Sequence, residues 1–367
     1  MLSLRDFWRR HKRKILVTAG VIGSGYFLYK LHETNRTRLH DLEREFDDQR
    51  KIDELIKAQM QAHFENIQRI ADTMTLPHVM YYLKGQIEDE LDLSSLTERL
   101  VKGKGQPNTL TPSEKLELWD KLKILSFTRL AVSLWAMIML TLYIRVLANI
   151  LGRHLYVDAA HGPDYLLEDA DVNMESQQKF LASADFLSIY ALPSLISNMQ
   201  GAAAEVLKGK QLRDLFNTRV LHDTITQILD LFMKSGGPHH WLVFLMPVDN
   251  TLYKVPSSGN VGGVHYDINR LDQFMVEARA VLSSNEFEHI VEQSIKKVID
   301  TLVEDLKVQA GVGDLSAGVP LAKLLPRVAL MSPRLLEEPS NNKFIQMIRN
   351  MQEVEVFFTL IYSDVQS

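Results

Sequence analysis

The residues with the best claim to chemistry form a short list. His239 and His240 are adjacent, and His265 stands before Tyr266 and Asp267. Imidazole and carboxylate can hold a metal, but two ligands at no helical spacing with a distant third make a poor site. Ser257 to Gly263 is glycine-rich, yet no Lys-Ser/Thr pair follows to hold phosphate and magnesium, so it reads as a flexible loop. The dozens of acidic side chains single out no catalytic pair. Cysteine is absent, which excludes thiol catalysis, disulfides and cysteine-ligated metals, and fits a body folding in a reducing compartment. The residues nominate no catalytic group, metal or cofactor, and no small-molecule substrate. The reading from another class is a membrane-bound enzyme using the 235–267 region.

Recognition chemistry is better represented. Lys115 to Arg129 reads KLELWDKLKILSFTR. At about 100° per residue, Leu118, Leu122 and Leu125 share a stripe with Trp119 on its edge, and Lys115 projects between Leu122 and Trp119 one turn earlier. A tryptophan beside leucines and bordered by lysines suits capture of an amphipathic partner helix. Packing of Trp119 inside the protein is the alternative.

These residues must be carried by helices. Thr111-Pro112-Ser113-Glu114 is a helix start in which either Thr111 or Ser113 can cap, and no Gly or Pro follows until Leu151. Within that run, Leu130 to Ile144 is uncharged. It is long enough to raise a second membrane span, but Arg145 and the amphipathic approach oppose one, and a helix apolar all round equally suits a bundle core. Downstream, helical patterns cover roughly 174–192, 193–209, 210–234, 267–283, 285–309, 319–336 and 341–363, with loops near 157–172, 235–263 and 310–318. Trp241 to Val248 is one strand-like run, and Leu76-Pro77 is expected to break a charge-rich helix beginning near Leu39.

The front end differs in kind. Residues 1–14 carry six basic groups, among them Arg9, Arg10, Lys12, Arg13 and Lys14, against Asp6, a local +5. The whole chain of 367 residues sums to −5, so the remainder carries −10 and is a poor general nucleic-acid binder. Ile15 to Tyr29 has no charge but spans only about 22 Å as a helix. A cleaved signal peptide lacks its small-residue site here, and a buried helix must tolerate Gly20, Gly23 and Gly25; a retained anchor fits better. The expected organisation is a basic targeting segment (1–14), a transmembrane anchor (15–31), a charged helical linker (32–58) and a helical-bundle domain (59–367). The fold class is all-α, a large elongated bundle around a long central helix, preceded by one N-terminal transmembrane helix.

The Lys115–Arg129 stretch resembles the peroxin-3 family of peroxisome-biogenesis membrane proteins, whose motif LE(I/L)W..LKI(I/L)SFTR it matches. The basic N-terminus, the short anchor, the apolar mid-chain helix and the later run Val319 to Pro326 also fit. The resemblance implies a bundle with Leu130–Leu151 as core helix, anchored in the peroxisomal membrane with its domain in the cytosol. It implies that residues 1–14 face the organelle interior, against the simple charge rule. It further implies docking of peroxin-19, the soluble carrier of peroxisomal membrane proteins, through Trp119, Lys115 and Leu122, with Lys323 as a weaker carry-over and Leu118 from the residue pattern. The partners expected are therefore peroxin-19, as an amphipathic helix in a hydrophobic groove, and peroxisomal membrane lipid.

Overall fold

The computed structural model describes residues 61–105, 111–160, 170–247, 264–308 and 315–363, together with 50, 51, 54, 55, 58 and 59. The expected targeting segment, anchor and most of the linker lie outside the described residues. One compact unit runs from Phe64 to Ser367.

Its axis is α3, Pro112–Ala160, with α1 (Leu76–Glu90) and α2 (Ser94–Gly105) before it. After it come α4 (Ala170–Ala182), α5 (Leu192–Val206), α6 (Thr218–Lys234), α7 (Val264–Leu282), α8 (Asn285–Val308), α9 (Leu321–Leu335), α10 (Lys343–Arg349) and α11 (Gln352–Ser363). Helices α4 to α9 fall where periodic runs were expected, with shifted ends; the expected 341–363 helix is two, because Asn342 caps α10 and the chain turns at Asn350. The expected strand does not form. Trp241 to Phe244 lie in a 3-10 turn, and the two-residue strands are β1 (Leu215–Phe216) and β2 (Val319–Pro320), paired antiparallel. Trp241 is buried in its turn, stacked on Phe287 at 6.1 Å, so its hydrophobic run serves helix packing.

α3 is 49 residues long, about 74 Å at helical rise. It does not stop at Gly152. A Cβ there would lie 2.7 Å from the Ile67 side chain, so glycine is what lets the preceding helical residues 64–70 pack against α3. From Leu130 to Leu147 every side chain is buried, wrapped chiefly by α5, α9, α11 and α7. Leu130–Ile144 is therefore the core helix and not a second span, although the helix that carries it is long and apolar enough to cross a membrane. Trp135 meets Phe232 edge-on at 5.4 Å and donates its indole N–H to the Met233 sulfur. Tyr143 and Ser183 share a hydroxyl bond at 2.8 Å, so the core's few polar groups meet inside it.

Arg145 explains how a charge sits in this run. Its Nε donates to Gln68 Oε1 and its guanidinium lies 4.8 Å over the Phe358 ring. Beside it, the expected break at Leu76-Pro77 is absent. A π turn, Ala71–Thr75, precedes α1, and Leu76 donates to the Ala71 carbonyl. That leaves the Asp72 carbonyl facing Pro77, which has no N–H to give. Arg349 of α10 supplies the missing donor at 3.4 Å and pairs with the Asp72 carboxylate at 2.9 Å. Burial pushes the Asp72 carboxyl above its ordinary value, with Arg349 and Arg145 opposing the rise. A second π turn, Leu187–Ala191, precedes another Leu-Pro pair, Leu192-Pro193.

Candidate partner-binding surface

The first turns of α3 begin with a closed capping box. Thr111 Oγ1 accepts from the Glu114 N–H at 3.2 Å, while the Thr111 N–H donates to Glu114 Oε2 at 2.7 Å. Thr111, not Ser113, is thus the cap. The same bonds hold the Glu114 carboxyl below its ordinary range, first through the Thr111 backbone N–H and then through its hydroxyl. One loop earlier, Ser94 at the start of α2 donates its N–H to Asp92 at 2.9 Å.

These two caps bring α2 and α3 together. Leu118 and Leu122 turn inward and close a small cluster with Leu93, just before α2, and Leu96 and Leu100 of α2. They are 8% and 6% exposed, so they form a floor with little surface left to offer. Trp119 and Leu125 pack on that cluster only partly buried, joined by Ala329 of α9. Trp119 is therefore the residue of the predicted set that combines a fixed base with open apolar area. Lys115 is exposed at the start of the helix, and Lys323 is exposed on α9 less than two turns before Ala329.

Residue spacing alone missed two neighbours. Leu116 lies one turn before Trp119 and is 59% exposed, and Leu330 follows Ala329 at 65%. The Leu116–Trp119 i,i+3 spacing was a readable signal; the approach of α9 was not. The motif's lysines also divide. Lys121 faces solvent, but Lys123 is buried, donating to the Lys210 carbonyl at 2.8 Å and pairing with Asp120 at 2.9 Å. Lys123 fastens α3 to the turn after α5, while Lys115 is left to the surface.

The residues that suggested other chemistry sit elsewhere. His240 packs edge-on against Phe232 and Phe244, and burial pushes its imidazole below the usual value. His239 holds a positive φ of 54° before the 3-10 turn, and His265 opens α7. Among the described residues no three His, Asp or Glu side chains gather as metal ligands.

A surface of this kind, a half-buried tryptophan on a leucine floor with a lysine on each side, can hold the apolar stripe of a helix and meet acidic residues at its rim. Comparison with known proteins places it in a lineage. The family model described as Peroxin-3 matches residues 104–185 and 166–364. The chain is 53% identical to Peroxisome biogenesis protein 3-2 of Arabidopsis thaliana over 366 residues, covering 99% of both chains. It is 49% identical to Peroxisome biogenesis protein 3-1 of the same plant, again over 99% of each. Peroxisomal biogenesis factor 3 of Homo sapiens aligns at 28% identity over 98% of this chain and 96% of its own.

Proposed function

Since the chain belongs to the peroxin-3 family and so has a role in peroxisome biogenesis, we propose that it is the membrane docking receptor for the carrier peroxin-19. In this reading the Phe64–Ser367 unit faces the cytosol and the uncharged stretch at 15–31 anchors it in the peroxisomal membrane. The basic residues Arg9, Arg10, Lys12, Arg13 and Lys14 target it there. An amphipathic helix of the carrier lies across α3 and α9 with its apolar face on Trp119, Leu116 and Leu330. Leu118 and Leu122 support that face from below, and Lys115 and Lys323 meet acidic residues at its edges. Cargo membrane proteins then arrive with the carrier, and no reaction is asked of the receptor.

The observation that supports this most is the placement of Trp119. A tryptophan in a core would be closed over, and one with no role would be costly to leave half open beside two more exposed leucines. Its base is rigid, so binding need order little on the receptor side. The test is a calorimetric titration of the full chain in detergent micelles with purified peroxin-19. Saturable binding is expected, competed by a synthetic amphipathic helix from the carrier. A flat titration with a folded receptor contradicts the reading.

A further inference from the structure

A second exposed apolar surface lies on α1. Tyr81 and Tyr82 are 78% and 53% exposed, with their rings 6.0 Å apart and edge-on. His78 meets Tyr82 edge-on from the preceding turn at 5.0 Å. The π turn Leu187–Ala191 packs against α1 and adds two more open apolar side chains, Ile189 and Tyr190. Scattered apolar residues on a surface are ordinary, whereas four on two touching elements form a patch that calls for a cover.

What covers it can be read from the helix itself. At 100° per residue Gly85 falls on the midline between Tyr81 and Tyr82, one turn ahead of them, and His78 shares that midline one turn behind. A Cβ added at Gly85 meets nothing within 4 Å, so the glycine leaves an open notch beside two rings. Further along the stripe stand Glu88 and Asp89, both exposed. Knob, notch, imidazole and carboxylates are thus arranged around a centre near Leu83. When two copies of such a helix cross antiparallel about a two-fold axis, residues at equal distances on either side of the centre face one another. The tyrosines of one copy then enter the Gly85 notch of the other, and each His78 meets the other's Glu88 and Asp89. Lys84 lies about 100° off the midline, so like charges are not brought together.

We propose that the Tyr81–Tyr82–Gly85 ledge is an isologous interface through which two copies of this chain associate. The surface needs no occupant of different chemistry, because its protruding and recessed halves match each other and its imidazoles face carboxylates across the axis. It is separate from the Trp119 surface, so loss of pairing leaves carrier binding in place.

The natural absence of cysteine makes the test direct. Gln86→Cys gives the full chain a single thiol at an exposed rim position, about 90° off the midline, so the Gly85 notch stays open. Membranes carrying that variant are treated with a short bis-maleimide. A covalent species of twice the monomer mass is expected, absent from a Lys234→Cys control and lost when Tyr81→Glu and Tyr82→Glu are added to Gln86→Cys. Circular dichroism of the purified glutamate variant should stay unchanged. Three results would overturn the proposal: Gln86→Cys remaining monomeric, its cross-linking only to a different polypeptide, or the dimer surviving both glutamates.

Discussion

The start and the middle of α3 put the same residue type to opposite uses. Trp135, in the middle of the helix, is fully buried, ringed by Phe232 and Phe244 and bonded to the Met233 sulfur. Trp119, sixteen positions earlier, packs its base on a leucine cluster and leaves the rest open. Both stand in apolar, tryptophan-bearing stretches of one unbroken helix. What separates them is cover: α6 and the 3-10 turn close over Trp135, while among the described residues Trp119 rests on the α2–α3 leucine cluster and stays partly exposed. In this molecule an apolar side chain becomes a core or an interface according to how many elements reach it, and hydrophobicity alone does not decide.

Substitutions can break that contrast in graded steps. Trp135→Ala removes a large ring from a closed site and should cost about 3–5 kcal/mol of stability. Urea unfolding of the detergent-solubilised chain followed by circular dichroism measures it, and a loss under about 1 kcal/mol would mean the core reading of this half is mistaken.

Arg349→Ala comes next. It leaves Asp72 with neither its ion partner nor the donor to its carbonyl beside Pro77. The pair is only partly buried, so a loss on the order of 2 kcal/mol is expected, below the 3–5 kcal/mol of fully buried pairs. Faster amide exchange should be confined first to residues 64–77. Uniform exchange throughout the bundle would show that the π turn does not depend on Arg349.

At the open end, Thr111→Ala deletes the cap and should cost about 1 kcal/mol. The Glu114 carboxyl is held low, so the part of the cap in which the Thr111 hydroxyl donates to that carboxylate is present above the ordinary glutamate value and is lost as acid protonates the folded form, while the bond from the Glu114 N–H to Thr111 Oγ1 remains. Comparing melting temperatures of wild type and Thr111→Ala between pH 6 and pH 3 should show the gap narrowing in acid without closing.

The smallest effect is alkaline. Tyr362 packs on Phe64, and burial pushes its hydroxyl up to about 12. A raised value means the fold holds the proton more tightly than the unfolded chain does. Its contribution is therefore complete below about pH 10 and lost as pH climbs toward 12. Tyr362→Phe should remove the last step of the absorbance titration at the tyrosinate band.

Much of this fold was legible before any coordinates. The cap at Thr111-Glu114, the unbroken apolar run after it and most later helices follow from local propensity and period. The failures share a cause in distance along the chain. Pro77 reads as a breaker because the donor that rescues Asp72 is Arg349, 277 residues away. Gly152 reads as a terminus because Ile67 is what fills its missing side chain. Lys123 reads as a surface lysine because its acceptor is the Lys210 carbonyl. At the candidate site, the stripe of Leu118, Leu122 and Trp119 was visible, but which members form the floor and which face outward depended on α2. Leu330 was invisible there until α9 lay beside Trp119.

The contrast between the two tryptophans is tested most directly at Trp119 itself. The full chain and its Trp119→Ala variant are titrated with peroxin-19 by calorimetry and melted under the same conditions. Binding should weaken by about 2 kcal/mol, roughly thirtyfold, with the melting temperature essentially unchanged. An unchanged affinity with a marked fall in melting temperature would make Trp119 a second core tryptophan and remove the docking surface.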